Sequence, residues 1–69
     1  MKVKHFIKYL FSYQKICFAV DKYSRLTITK HVLEEQYKNL LKRKIKNIKT
    51  IKNDVLYVEI EGGKYGELI

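Results

Sequence analysis

The sequence predicts an α+β domain of αββαββ order, with two helices packed on an antiparallel sheet of up to four strands. Two observations carry the prediction. Apolar residues recur at helical spacing in two places, near the N-terminus and again after His31. Each helical stretch is followed by segments that alternate apolar and polar residues around a turn signal, the pattern of a β-hairpin. The two halves share this order without enough sequence similarity to form a true repeat.

Val3, Phe6, Ile7 and Leu10 fall on one helical face, with Lys2, Lys4, His5 and Lys8 on the other. That predicts a short amphipathic helix over roughly residues 3–12. From Lys15 to Asp21 the pattern alternates, with Ile16, Phe18 and Val20 on one face and Cys17 and Ala19 on the other. Asp21-Lys22-Tyr23-Ser24 reads as a turn, because Asp and Ser side chains bond to nearby backbone amides. Arg25 to Lys30 alternates again, with Leu26 and Ile28 inward and Thr27 and Thr29 outward.

From His31 the helical period returns, and Leu33, Tyr37, Leu40 and Leu41 share a face. Thr29 is a candidate cap. Glu34 and Glu35 suit the positive end of the helix dipole, and Lys42, Arg43 and Lys44 suit its negative end. Val55 to Glu61 places Leu56, Val58 and Ile60 on one face of a strand, which Gly62-Gly63 ends. Lys44 to Lys52 reads two ways. Ile45 and Ile48 continue the helical spacing of Leu41, yet the β-branched residues and the Asn53-Asp54 turn favour a strand. A hairpin of residues 46–52 with 55–61 also gives the final strand a neighbour, and it is the reading adopted. Thr27, Thr29, Lys46, Thr50, Tyr57 and Glu59 would then lie on the open face of the sheet.

One domain over residues 1–69, with a short tail over 62–69, is all that the length allows. A chain of this size buries only about 60% of its unfolded surface. The single cysteine, Cys17, excludes an internal disulfide, and His5 and His31 have no zinc-finger spacing. Stability must come from an apolar core, for which a 46% hydrophobic content suffices. Tyr65, Leu68 and Ile69 in the tail either close that core or serve a partner. No stretch approaches a membrane span or a signal peptide, and the free cysteine suggests a reducing, cytoplasmic setting.

The formal charge is +8 and unevenly placed. Residues 1–52 carry almost all of the Lys and Arg, and residues 53–69 are net acidic. Lys38, Lys42, Arg43, Lys44, Lys46, Lys49 and Lys52 fall within fifteen residues that hold no acid. Such a run fits phosphate, an acidic protein surface or anionic lipid, although Lys is also the common solubilising residue of AT-rich coding sequences. The basic helix at residues 2–12 is short for a membrane anchor.

Catalysis finds little to work with. Cys17 sits in an apolar strand, where a thiol is inert. Glu34 and Glu35 are adjacent, so they diverge on a helix. The three glycines form no phosphate loop. An enzyme is not expected, nor a cofactor or metal. Two binding functions remain. In the first, Lys42, Arg43, Lys44, Lys46 and Lys49 contact phosphates while Tyr9, Tyr13, Tyr23 and Tyr57 offer stacking, and Lys2, Lys4 and Lys8 add a second stripe. With only two arginines, base readout is not expected. In the second, the domain docks on a host protein or ribonucleoprotein complex. The partner-binding candidates are the seven basic residues above together with Tyr57.

The run from Leu40 to Glu61, LLKRKIKNIKTIKNDVLYVEIE, and the opening VKHFIKYL followed by a hairpin resemble small accessory proteins of phages and mobile elements of low-GC Gram-positive bacteria. Some of these are similar in size to anti-CRISPR inhibitors. The resemblance implies a binder that blocks a Cas effector in the host cytoplasm. Many such inhibitors are acidic DNA mimics, and this chain is basic, so it would contact acidic protein surface, guide RNA or bound nucleic acid. No functional residue is carried over.

Overall fold

The computed structural model describes residues 1–62 and 68, and its elements follow the predicted order. They are α1 (Val3–Ile7), β1 (Lys15–Ala19), β2 (Arg25–Thr29), α2 (Lys30–Gln36), a 3₁₀ turn (Lys38–Lys42), β3 (Ile45–Lys52) and β4 (Val55–Ile60). The result is the expected α+β domain of two helices on a four-stranded sheet. Tyr65 and Ile69, named above as tail groups, lie outside the described residues, as does the side chain of Thr50. Leu68 is buried with the core.

The sheet runs β2-β1-β4-β3. Each hairpin is antiparallel, and β1 and β4 join them as a parallel pair. The sheet is therefore mixed where an antiparallel one was expected. The order has a physical reason. β1 and β4 are the most apolar strands and take the centre, while the lysine- and threonine-bearing β2 and β3 take the edges, where water tolerates them.

Paired residues share a face, so the register assigns both sides of the sheet. Ile28, Ile16 and Leu56 line up on one side, as do Leu26, Phe18, Val58 and Ile48. The helices cover this side. Val3 and Ile7 of α1, Leu33 of α2 and Leu40 of the 3₁₀ turn are buried against Ile16, Phe18, Leu56, Val58 and Ile60. Each such side chain contributes about 1.5–3 kcal/mol of transfer free energy, which must offset the ordering of the chain.

α1 ends at Ile7, not near residue 12. Tyr9 and Leu10 donate to the carbonyls of Phe6 and Ile7 in tighter turns, and Lys30 Nζ caps the Leu10 carbonyl at 3.0 Å. The chain must reverse here to enter β1. The second helix also stops early, at Gln36, and Tyr37 leaves helical geometry before the 3₁₀ turn begins. Like charges at i,i+4, such as Lys38 with Lys42, disfavour continuation as an α-helix. The Thr29 cap forms as expected, its Oγ1 accepting from the Val32 N–H at 3.3 Å.

β3 explains why residues 44–52 resemble a helix. It carries two register shifts against β4, one between Ile45 and Asn47 and one between Lys49 and Lys52. A bulge inserts one extra residue and resets the alternation. Ile45 and Ile48, three apart, therefore pair with Ile60 and Val58 on the same side of the sheet. Asn53 and Asp54 both have positive φ, 54° and 63°, and close the hairpin between Lys52 and Val55. This is the geometry of a type I′ turn.

Candidate functional site

The seven basic residues singled out in the sequence fall on the 3₁₀ turn, on edge strand β3 and on the link between them, and they do different things. Lys38 and Lys42 project from the 3₁₀ turn and are exposed. Arg43 follows that turn, and its Nη1 donates to the Glu61 carbonyl at 3.0 Å, tying the segment to the end of β4. Lys44 forms an isolated antiparallel bridge with Lys2. Backbone bonds from Val3 N–H to the Arg43 carbonyl (3.0 Å) and from Ile45 N–H to the Met1 carbonyl (2.8 Å) hold that bridge. Lys46 lies at the first register shift of β3.

Lys49 and Lys52 belong to a different environment. Lys49 pairs with Tyr57 across the open face and makes an ion pair with Glu59 at 3.1 Å. Both members are substantially exposed, so the pair is worth between 0 and about 1 kcal/mol. Lys52 sits beside the Asn53-Asp54 turn, roughly 25 Å along the strand from Lys44. Tyr57 is half-buried on the open face, between Cys17 and Lys49. The structure thus sets Lys2 of the N-terminus opposite Lys44, with Lys42 and Lys46 two residues to either side along the chain. It separates these from Lys49, Lys52 and Tyr57.

At the junction of the N-terminus, the 3₁₀ turn and β3, Lys44 stands between a like charge and an opposite one: Lys2 across the isolated bridge, and Glu61, whose N–H donates to the Lys44 carbonyl at 2.9 Å. Lys2 and Lys44 are directly opposite, with about 5 Å between their Cα atoms, and like charges so placed repel. Among the described residues no carboxylate lies within ion-pair distance of Lys2, Lys38, Lys42, Lys44, Lys46 or Lys52. Their charge is available to an external anion.

Cys17 is buried, yet it does not belong to the apolar core. Its register partners Thr27 and Tyr57 place it on the side of the sheet opposite the helices that carry His5 and His31. His31 instead meets Glu35 one helical turn later, Nε2 to Oε1 at 3.4 Å, on the exposed side of α2. Among the described residues no three of His, Cys, Asp and Glu converge as metal ligands. No helix there is long and apolar enough to cross a membrane.

The aromatic residues sort differently from expectation. Tyr9 and Tyr23 are exposed, but each ring is shadowed by the preceding lysine, Lys8 at 5.6 Å and Lys22 at 5.1 Å. Phe11 and Tyr13 are equally exposed, each 84% accessible, and no lysine lies over either ring among the described residues. Phe11 was missed in the sequence because it sits just past the helical apolar positions and reads as one more core residue. No protein-family model matches the chain, and neither a curated protein nor a solved structure matches it significantly.

Proposed function

We propose that this chain is a non-enzymatic accessory protein of a phage or mobile element. It binds a host nucleic-acid-handling complex in the bacterial cytoplasm and inhibits or modulates it. An anti-CRISPR acting on a Cas effector is the concrete form. The observation that carries the binding role is the opposition of Lys2 and Lys44, with Lys42 and Lys46 two residues to either side of Lys44, and no carboxylate within ion-pair distance of them among the described residues. Repulsion of this kind costs folding free energy, and an anionic partner removes the cost on binding. The identity of the complex rests on the resemblance of residues 40–61 and of the N-terminal segment to phage-type accessory proteins.

The test is affinity purification from bacterial lysate with the wild-type chain and with Lys42→Glu/Lys44→Glu/Lys46→Glu. All three lysines are exposed, so the variant should fold. A nucleic-acid-handling complex should be retained by the wild type and lost by the variant. Equal recovery with both would show that the lysines only solvate the surface. Direct nonspecific binding of DNA or RNA is the second reading, and the exposed Phe11 and Tyr13 favour it. It predicts affinity for free duplex that falls steeply with salt and depends on Lys42, Lys44 and Lys46, whereas docking on a protein complex predicts little duplex affinity at physiological salt.

A further inference from the structure

The basic junction leaves two features unused: a sheet face without helices, and a pair of bare aromatic rings at its rim. Across that face the register sets Thr29, Lys15, Val55 and Lys52 in one row and Thr27, Cys17, Tyr57 and Lys49 in the next. Phe11 and Tyr13 lie in the loop leading into β1. With Gln14, Lys15 and Asp54 they line a shallow hollow of about 390 Å³, broadly open to solvent. The Gln14 side chain fixes the floor by donating from Nε2 to the Lys15 and Asp54 carbonyls, both at 3.0 Å. Unlike Tyr9 and Tyr23, these two rings have no cation over them among the described residues.

Two exposed rings beside one hollow offer apolar surface that a ligand can cover. Their surroundings say which ligand. Lys15 lines the hollow together with one carboxylate, Asp54, and Lys52 lies in the same row of the sheet on the far side of Val55. Farther across the face Arg25 and Lys49 accompany Glu59, which Lys49 already engages. A ligand that is both flat and anionic matches rings flanked by ammonium groups. We infer that the helix-free face of the sheet binds single-stranded nucleic acid, with unpaired bases stacked on Phe11 and Tyr13 and phosphates held by Lys15 and Lys52. A duplex hides its base faces, so rings can reach them only in a single strand. Stacking and lysine contacts read no base edges, so the site tolerates any sequence.

This site is separate from the basic junction. Lys15 pairs with the start of β4, whereas Ile45, next to Lys44, pairs with its end. The two interfaces therefore fail independently.

The test is fluorescence anisotropy with labelled oligothymidylate and oligouridylate of about 12 nucleotides, within the usual site sizes. A duplex of equal length is the comparison. One or both single strands should bind more tightly than the duplex, and the better of the two identifies DNA or RNA as the ligand. Phe11→Ala/Tyr13→Ala should weaken single-strand binding by roughly 5- to 150-fold per stacked base while leaving the salt slope unchanged. Both side chains are exposed, so an unchanged thermal melt is expected and excludes misfolding. Equal affinity for duplex and single strand, or an unaffected double variant, would overturn the inference even if Lys42, Lys44 and Lys46 proved essential for capturing a complex. So would concentration-dependent dimerisation abolished by the same substitutions, which would assign the rings to a second copy of the chain.

Discussion

Asp21 shows how one side chain sets a turn. Its Oδ1 accepts from the Tyr23 and Ser24 N–H groups, both at 2.8 Å, and these bonds, Ser24 first, hold its carboxyl below the ordinary value of 3.8. A lowered folded pKa means that the stabilisation is complete above 3.8 and is lost as pH falls through the folded value. Titration of the Asp21 carboxyl by NMR should give that low midpoint. Asp21→Asn should keep the turn and remove its share of the acid sensitivity; an Asp21 midpoint at or above 3.8 would contradict the assignment. At the other hairpin, Asp54 holds φ at 63°. Asp54→Val should cost about 1–2 kcal/mol in a denaturant melt, because a β-branched residue resists the left-handed region. Asp54→Gly should cost none of this strain, since glycine is the preferred residue there. Both turns were legible in the sequence because their chemistry is local: an Asp and a Ser three residues apart, and an Asn-Asp pair before an alternating run.

Elements were legible in kind and order, and less so in extent. Alternation in Ile16 to Val20 and in Val55 to Ile60 located β1 and β4 directly, because Ile16 and Phe18, like Leu56, Val58 and Ile60, enter the core from one side of the sheet, although Cys17 on the other side of β1 is buried as well. β3 was ambiguous for a physical reason. Its bulges put isoleucines three apart on one side, a spacing that also fits a helix. The turn that follows it settled the matter in favour of a strand. The helix ends were not legible. Where α1 stops depends on where β1 must begin, and where α2 stops depends on like-charge crowding and on Leu40 reaching the core. The parallel meeting of β1 and β4 is likewise a long-range choice that no local pattern records. The Thr29 cap gives the element-scale prediction. Thr29→Ala removes the acceptor for Val32 N–H and should lower stability by about 1 kcal/mol in a denaturant melt. No change would mean that α2 is held by Leu33 packing alone.

At the scale of the whole molecule, charge and apolar surface are segregated. The helices bury one side of the sheet, the lysine-bearing strand β3 takes an edge, and the other side stays open. Lysines and bulges on an edge strand also keep sheets from joining edge to edge, and Lys46, Lys49 and Lys52 serve that purpose whatever else they bind. Lys2 and Lys44 are different, because they stand opposite each other where the edge is already closed by Met1. The sequence showed the charge run but not this division, since Lys2 joins Lys44 only through the fold. It also hid which aromatic rings are bare, a property of packing and not of spacing.

The most direct measurement is the salt dependence of affinity for the captured complex, with the wild type beside Lys42→Glu/Lys44→Glu/Lys46→Glu. If these ammonium groups lie on phosphates, the wild-type log–log slope should be steep. It should become shallower by about 0.7–0.9 for each phosphate contact the variant loses. Identical slope and affinity for the two proteins would contradict the account.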